Sequence, residues 1–230
     1  MKMEKTYTLQ FNGYEATVIR PENPNGKWIW KTEFLYAFDQ AEVALLKEGY
    51  TRVYYKISDK YGSYNAVRLM RKFYHFIIKE FDLDEKCYLF GFSRGGLYAF
   101  NFALFYPEYV EKVYLDAPVL DMKTWPCNGK EGNRPLTEQV FEEYGLNDDT
   151  LQTFKGNPID NLPEFFSLHI PLLVVAGGAD EVVPFDRNSE ILINYCKQNG
   201  IEITSIVKPD CKHHPHSLED VTPILEFIKK

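Results

Sequence analysis

The sequence predicts an α/β fold in which helices cover both faces of an eight-stranded, mostly parallel sheet. Strand-like and helix-like segments alternate along most of the chain, and each parallel crossover needs a connection about as long as a helix. The 230 residues, 45% hydrophobic and 26% charged, suit one domain, residues 1–230, with a substantial core. Ligands of such sheets bind beyond the carboxyl ends of the strands.

The predicted elements follow from local patterns. The segments TYTLQF and YEATVI flank Asn12-Gly13, a two-residue signal for a tight hairpin turn. Apolar residues at steps of three and four, from Val67 to Phe81, predict the clearest helix. The other predicted elements are strands 27–31, 51–57, 87–92, 111–116, 171–177 and 201–207 and helices 34–47, 95–105, 187–198 and 218–229.

The segment of about residues 118–168, between the sixth and seventh strands, is too long for a simple crossover. Long insertions in compact domains are often functional lids, and we expect a lid here. Most of its aromatic residues are expected to form a small core of its own. Trp125 lies in the turn-rich KTWPCNG, where an aromatic has less reason to be buried, and is predicted to form a wall of the substrate site.

Composition argues against several classes of partner. The net charge of −7 and a pI near 5.3 disfavour binding to nucleic acid and to anionic membranes. No run of about 18 apolar residues and no apolar N-terminal region occur, so we expect a soluble, cytoplasmic protein. The four cysteines show no metal-ligand spacing, which predicts reduced thiols and no metal site.

The stretch GFSRGG, at a predicted strand-to-helix turn, is the most informative motif of the sequence. Gly91 and Gly95 stand two residues either side of Ser93, between a predicted strand and a predicted helix. This is the G-x-S-x-G pattern of a nucleophile elbow, in which small neighbours let a serine stand clear of the sheet. The amide of Arg94 would then lie at a helix N-terminus, where a developing oxyanion is favoured.

A serine nucleophile needs a base and a third group that orients the base. Asp180 follows a predicted strand in GGADEVVP, and three histidines follow the next strand in KPDCKHHPHSLED. The order Ser, Asp, His is that of one hydrolase fold. Asp116 is the second choice for the acid, and Asp121 is expected to have a loop role.

These segments together resemble the α/β-hydrolase fold serine esterases. GGADEVVP is similar to the acid loop of that family and KHHPH to its histidine loop, although Lys212 stands where the family usually has glycine. The resemblance implies His213 as the base, with His214 and His216 as alternatives; His216 is expected to orient the loop, and Ser217 to cap the last helix. WIWK, DAPVLD and HHPHSL are similar to motifs of one bacterial group of these hydrolases.

The resemblance implies a carboxylic ester hydrolase with a Ser93–His213–Asp180 triad, no metal or organic cofactor, and a small-molecule ester as its partner. A second oxyanion-hole amide is expected after the third strand, from Lys31 or Thr32. The side chains of Lys31 and Glu33 either touch substrate or are surface charges at a helix start. A peptidase or amidase, an acyltransferase and a non-catalytic binding protein on the same scaffold remain alternatives.

Overall fold

An eight-stranded sheet, traced in a computed structural model that describes residues 4–230, forms the centre of the protein. Its spatial order is β1-β2-β4-β3-β5-β6-β7-β8. The strands are β1 (Glu4–Phe11), β2 (Tyr14–Pro21), β3 (Trp28–Lys31), β4 (Thr51–Tyr55), β5 (Cys87–Phe92), β6 (Val110–Asp116), β7 (Leu172–Gly177) and β8 (Thr204–Lys208). The pairs β1/β2 and β2/β4 are antiparallel and the other pairs are parallel. The predicted fold class is therefore confirmed.

The helices cover both faces of this sheet. They are α1 (Gln40–Lys47), α2 (Tyr64–Phe81), α3 (Gly95–Phe105), α4 (Arg134–Tyr144), α5 (Asp148–Thr153), α6 (Leu162–Ser167), α7 (Ser189–Gln198) and α8 (Thr222–Lys229). Nowhere in residues 4–230 is a helix both long enough and apolar enough to cross a membrane.

Side-chain alternation along the central strands divides the core into two layers. In β5, Leu89 packs in the layer that also holds the apolar faces of α2 and α3, whereas Phe90 packs in the layer under α1 and α8. Successive residues of a strand point to opposite faces of the sheet. A continuous apolar run such as CYLFGF is thus what a strand buried on both faces requires.

Two predicted helices start later than expected. Residues 34–39 form turns, with Phe34 and Phe38 at positive φ, so α1 begins at Gln40. Near the C-terminus Ser217 has a φ of 64°, and its amide donates a hydrogen bond to Asp116. No helix begins directly after Ser217, because α8 starts at Thr222. Asp220 accepts from the amide of Thr222, where α8 starts. The prediction that Ser217 caps the last helix is therefore wrong.

The topology brings distant parts of the chain to one edge of the sheet. Ser93 follows β5, Asp180 lies beyond β7, and His213 lies beyond β8. Because β5, β6, β7 and β8 are parallel and adjacent, their carboxyl ends lie side by side. The segment between β6 and β7, which contains α4, α5 and α6, leaves the sheet at this same edge.

Candidate active site

Ser93 occupies a tight turn between β5 and α3 and has a φ of 51°, an unusual value for a residue with a side chain. Its glycine neighbours are required by close approach. A Cβ on Gly91 would lie 2.8 Å from Cβ of Ala99, and a Cβ on Gly95 would lie 2.9 Å from Oγ1 of Thr32. The two glycines thus let strand, turn and helix pack closely while the backbone holds Ser93 at the tip, as the G-x-S-x-G pattern predicts.

A continuous line of hydrogen bonds connects Ser93, His213 and Asp180. Oγ of Ser93 lies 3.0 Å from Nε2 of His213, and Nδ1 of the same ring lies 2.7 Å from Oδ2 of Asp180. The other carboxylate oxygen of Asp180 accepts from the amides of Val182 and Val183 at 2.9 and 3.0 Å. His213 and Asp180 are buried, so their geometry is held by packing as well as by hydrogen bonds.

Asp116, the rival for the acid, has a different imidazole partner. Its Oδ1 lies 2.7 Å from Nδ1 of His216, and its Oδ2 accepts from the Tyr114 hydroxyl at 2.6 Å and the Ser217 amide at 2.8 Å. Both members of this second pair are buried. The pair ties the loop after β8 to the end of β6, and the ring of His216 lies 4.9 Å from that of His213, centroid to centroid.

Asp121 and His214, the remaining candidates for the acid and the base, take no part in these hydrogen bonds. Asp121 accepts from the amide of Lys123 within its own loop, in keeping with the loop role expected of it. His214 is exposed, and its ring stacks on Phe38 at a centroid distance of 5.7 Å. Desolvation and the neighbouring imidazoles of His216 and His213 lower the pKa of His214.

The amides near Ser93 correct the prediction of the second oxyanion donor. The amide of Thr32 donates to the carbonyl of Phe90 at 3.0 Å and is therefore occupied. Because amides along a strand alternate between its two neighbours, that of Lys31 faces β4 rather than β5 and Ser93. Neither residue offers a free amide to Ser93. The amide of Arg94 makes no hydrogen bond within the described range 4–230, as an oxyanion donor requires.

The side chain of Lys31 lies inside the protein. Its ammonium group forms an ion pair with Glu42 at 2.6 Å and lies 4.1 Å from the centre of the Phe92 ring. Burial lowers the pKa of Lys31 and raises that of Glu42, and the ion pair opposes both shifts. Lys31 is neither a surface charge nor open to substrate. Its ion pair with Glu42 links β3 to α1.

Glu33 is likewise buried, with its carboxylate 1% exposed. Its Oε2 accepts from Arg94 at 3.2 Å and from Ser58 at 3.0 Å, whereas its Oε1 has no hydrogen-bond partner. Burial raises the pKa of Glu33, and the Arg94 guanidinium opposes that rise. Glu33, which was predicted to contact substrate, thus binds the side chain of Arg94, the residue after Ser93. The roles of Ser58 and of the Arg94 side chain were missed, and no local pattern in the sequence marks them.

Trp125 is half-buried, and its ring centroid lies 6.5 Å from that of Tyr61, the residue at the turn after β4. The expectation that most aromatics of the insertion form a core of their own is wrong. They join the larger layer of the main core, and Phe165 stacks on Phe100 of α3 with centroids 4.2 Å apart. A face of α3 that the sheet leaves uncovered is thus covered by the insertion.

Helix α4 of the insertion is attached to the turn after β4 by side-chain hydrogen bonds. Glu143 accepts from Lys60 at 2.9 Å and from Ser63 at 2.6 Å, and Gln139 accepts from the Tyr61 hydroxyl at 2.8 Å. The hydrogen bond to Glu143 raises the pKa of Lys60. These contacts hold α4 against the turn that contains Tyr61, whose ring lies beside that of Trp125.

Sequence comparison identifies the family. The model of the prolyl oligopeptidase family, Peptidase_S9, matches residues 47–230, which is most of the chain. The chain belongs to the prolyl oligopeptidase family. The matched region contains Ser93, Asp180 and His213 and lacks only the first three strands and most of α1. No curated protein sequence matches this prolyl oligopeptidase family member.

Solved structures similar to this family member include peptidases and esterases. Acylaminoacyl peptidase from Pyrococcus horikoshii is 14% identical with a TM-score of 0.68, and the match covers 93% of this chain and 38% of that one. S-formylglutathione hydrolase from Staphylococcus aureus is 14% identical with a TM-score of 0.67, covering 98% and 95%. Carboxylesterase Cest-2923 from Lactobacillus plantarum WCFS1 is 16% identical with a TM-score of 0.63, covering 91% and 84%.

At these identities the structural matches establish the fold. This member of the prolyl oligopeptidase family spans 38% of the length of the acylaminoacyl peptidase but 95% of that of the S-formylglutathione hydrolase. Family and fold together place it in the α/β-hydrolase superfamily of serine hydrolases.

Proposed function

We propose that this chain is a serine hydrolase that cleaves carboxylic esters through an acyl-enzyme intermediate, with Ser93 as nucleophile, His213 as base and Asp180 as the orienting acid. The observation that carries the proposal is the hydrogen-bonded line from Ser93 Oγ through both nitrogens of His213 to Asp180, at 3.0 and 2.7 Å. Nucleophile, base and orienting carboxylate within such distances are the requirement for serine catalysis.

The geometry suits a two-stage reaction. Nε2 of His213 accepts the Ser93 proton as Oγ attacks the ester carbonyl, and then returns it to the departing alcohol. In the second stage a water molecule attacks the acyl group, loses its proton to the same nitrogen, and releases the acid. Asp180 accepts the Nδ1–H of His213, which keeps the lone pair on Nε2 and stabilises the imidazolium that forms.

Two backbone amides are proposed to stabilise the oxyanion. The first is that of Arg94, and the second is that of Glu33, in place of the predicted Lys31 or Thr32. The Glu33 nitrogen lies beside the nucleophile turn, 3.5 Å from where a Cβ on Gly95 would stand. It makes no hydrogen bond to any other residue in the range 4–230. Loss of one such donor typically costs about 10²–10³-fold in turnover.

The substrate class is proposed from the shape of the site and from motifs. The half-buried Trp125 ring beside Tyr61 would form one wall of the cleft, and the α4–α6 insertion would act as its lid. The motifs WIWK, DAPVLD and HHPHSL resemble those of one bacterial group of α/β-hydrolases. From this resemblance we propose small or carbohydrate-linked esters as substrates.

A peptidase is the second candidate, because the family match is to prolyl oligopeptidases and one similar structure is an acylaminoacyl peptidase. The same triad cleaves esters and amides, so its geometry does not separate the two. An acyltransferase would need an alcohol acceptor in place of water. A non-catalytic binding protein would not need the aligned Ser93, His213 and Asp180 side chains.

A comparison of ester and amide substrates tests the proposal. The kcat/KM for acetylated sugars is measured beside that for peptidyl p-nitroanilides with free and with acetylated N-termini, and p-nitrophenyl acetate serves as a general reporter. We expect the sugar acetates to be preferred. A higher kcat/KM for any of the anilides would instead establish a peptidase, and product formation that depends on added alcohol would establish a transferase.

The nucleophile is tested in the same assays with Ser93→Ala. We expect it to lose about 10³-fold or more in turnover, by analogy with other triads. Ser167→Ala, at an exposed serine of α6, is the matched control and should retain full activity. Equal turnover by Ser93→Ala and the native protein would remove Ser93 as nucleophile.

A further inference from the structure

Three imidazoles meet at the mouth of the candidate active site. The ring centroids of His213, His214 and His216 are each 4.9 Å from the other two, and the rings are inclined to one another by 67° to 87°. One ring nitrogen from each lies within 4.8 Å of those of the other two. The hydrolytic mechanism uses one of these rings and gives no reason for three to converge.

The surroundings of two of these rings are those of metal-binding histidines. His213 and His216 each have Nδ1 at 2.7 Å from a buried carboxylate, of Asp180 and Asp116 respectively. Histidines that bind metals characteristically donate one N–H to a carboxylate, which orients the ring and makes the other nitrogen a better ligand. In both rings this leaves Nε2 with its lone pair. Nε2 of His216 has no hydrogen-bond partner among residues 4–230.

His214 completes the set from the solvent side. It is exposed, its ring makes no hydrogen bond to another described residue, and one face stacks on Phe38. A tetrahedral zinc ion with Zn–N bonds of about 2.0–2.1 Å needs nitrogens about 3.4 Å apart. Closing the cluster from its present spacing therefore requires a small movement, and an exposed side chain is the one best able to make it.

We propose that His213, His214 and His216 form a binding site for a divalent transition-metal ion of the kind that prefers imidazole, Zn²⁺ above all, and that the bound ion inhibits the enzyme. Three neutral imidazoles with water in the fourth position are an established zinc ligand set. The ion takes the Nε2 lone pair of His213, which is the one that accepts the Ser93 proton. Inhibition is reversible because no covalent bond of the protein changes, and hydrolysis itself proceeds without the metal.

The inhibition rests on the proposed function, whereas the binding does not, so the two are measured separately. Binding is measured on tag-free Ser93→Ala protein by titration with Co²⁺, which substitutes for Zn²⁺ and absorbs visible light intensely in tetrahedral sites, and with Zn²⁺ by calorimetry. Inhibition is measured on the native protein as loss of p-nitrophenyl acetate turnover with added Zn²⁺ and its recovery with a chelator. Absence of hydrolysis by the native protein, together with ion binding by Ser93→Ala, would contradict the proposed hydrolase and leave the proposed metal site standing.

His214→Ala is the decisive variant, because His214 takes no part in the hydrogen bonds to Ser93, Asp180 or Asp116. Each variant is compared with its own metal-free rate. We expect the Zn²⁺ concentration for half-inhibition to rise at least about tenfold, since loss of even an outer-shell partner typically weakens metal binding by about 10–100-fold, and we expect the tetrahedral Co²⁺ bands to disappear. His75→Ala, at an exposed histidine of α2, should change neither. Equal sensitivity to Zn²⁺ in His214→Ala and the native protein, or the absence of tetrahedral Co²⁺ bands in Ser93→Ala, would overturn the proposal.

Discussion

Oδ1 of Asp116 lies 2.7 Å from Nδ1 of His216, so two buried imidazoles of the loop after β8 each pair with a carboxylate from the end of another strand. In the other pair, Asp180 holds His213, and it is His213 that reaches Oγ of Ser93. The two pairs have the same chemistry and the same short distance. They differ in which imidazole faces the serine, and the following predictions depend on that difference.

The three histidines should differ sharply when each is replaced by alanine. We expect His213→Ala to lose about 10³-fold or more in kcat, because it removes the proton acceptor. His216→Ala should have a smaller effect that arises from the loss of loop geometry, and His214→Ala the smallest. Metal-free p-nitrophenyl acetate kinetics with a chelator present make the comparison. A larger loss in His214→Ala or His216→Ala than in His213→Ala would assign the base to that residue.

Replacing Asp180 should affect mainly catalysis, whereas replacing Asp116 should affect mainly stability. Asp180→Asn leaves the shape of the side chain but favours the wrong tautomer of His213, and we expect kcat to fall by roughly 10³–10⁴-fold. Asp116→Ala removes an acceptor of three hydrogen bonds and should cost about 3 kcal/mol in the free energy of unfolding. Urea unfolding and kcat are measured on both. If the Asp116→Ala protein were fully folded under the assay conditions and its kcat fell as much as that of Asp180→Asn, Asp116 would act in catalysis.

Arg94→Ala should make stability depend more strongly on pH. Burial raises the pKa of Glu33 and Arg94 opposes the rise, so removing the guanidinium raises that pKa further. A folded state with a raised acid pKa binds more protons than the unfolded state, and stability therefore falls as pH rises through the interval between the two pKa values. We expect a destabilisation of about 2 kcal/mol at pH 7.

The destabilisation caused by Arg94→Ala should be smaller near pH 4, where Glu33 is largely protonated in the folded and the unfolded state alike. Urea unfolding at the two pH values measures it, with Arg68→Ala, at an exposed arginine of α2, as the matched control. A destabilisation of equal size at both pH values would mean that the guanidinium contributes packing and not charge.

Glu143→Ala should loosen the insertion. The carboxylate accepts hydrogen bonds from Lys60 and Ser63, and their loss should cost about 1–2 kcal/mol. We expect faster limited proteolysis within residues 117–171 and a KM that changes more than kcat, since the triad contacts remain. Glu142→Ala, at an exposed residue of the same helix, is the control. Unchanged proteolysis and KM would exclude this contact as the attachment of a lid.

The sheet and the turn at Ser93 were predictable because their signals are local. Strands were predicted from apolar runs, helices from apolar residues at steps of three and four, and the hairpin turn from Asn12-Gly13. Each of these patterns depends on residues that are close in sequence. The glycines around Ser93 lie within two residues of it, so their pattern is visible in the sequence, although the contact that requires Gly95 is with the distant Thr32. Helix starts at Gln40 and Thr222 were misjudged, because positive φ at Phe34, Phe38 and Ser217 depends on packing and on a partner 101 residues away.

The amino-acid sequence by itself determined the order of the strands and of the helices outside the insertion, the turn that presents Ser93, and a short set of acids and imidazoles for the site. Tertiary structure alone decided which member of each set pairs with which. Asp116 ends one parallel strand and Asp180 follows another, and His213 and His216 are three positions apart, so spacing does not distinguish them. The pairing and the free amides follow from the register of neighbouring strands and from close packing of distant segments, which a local pattern does not encode.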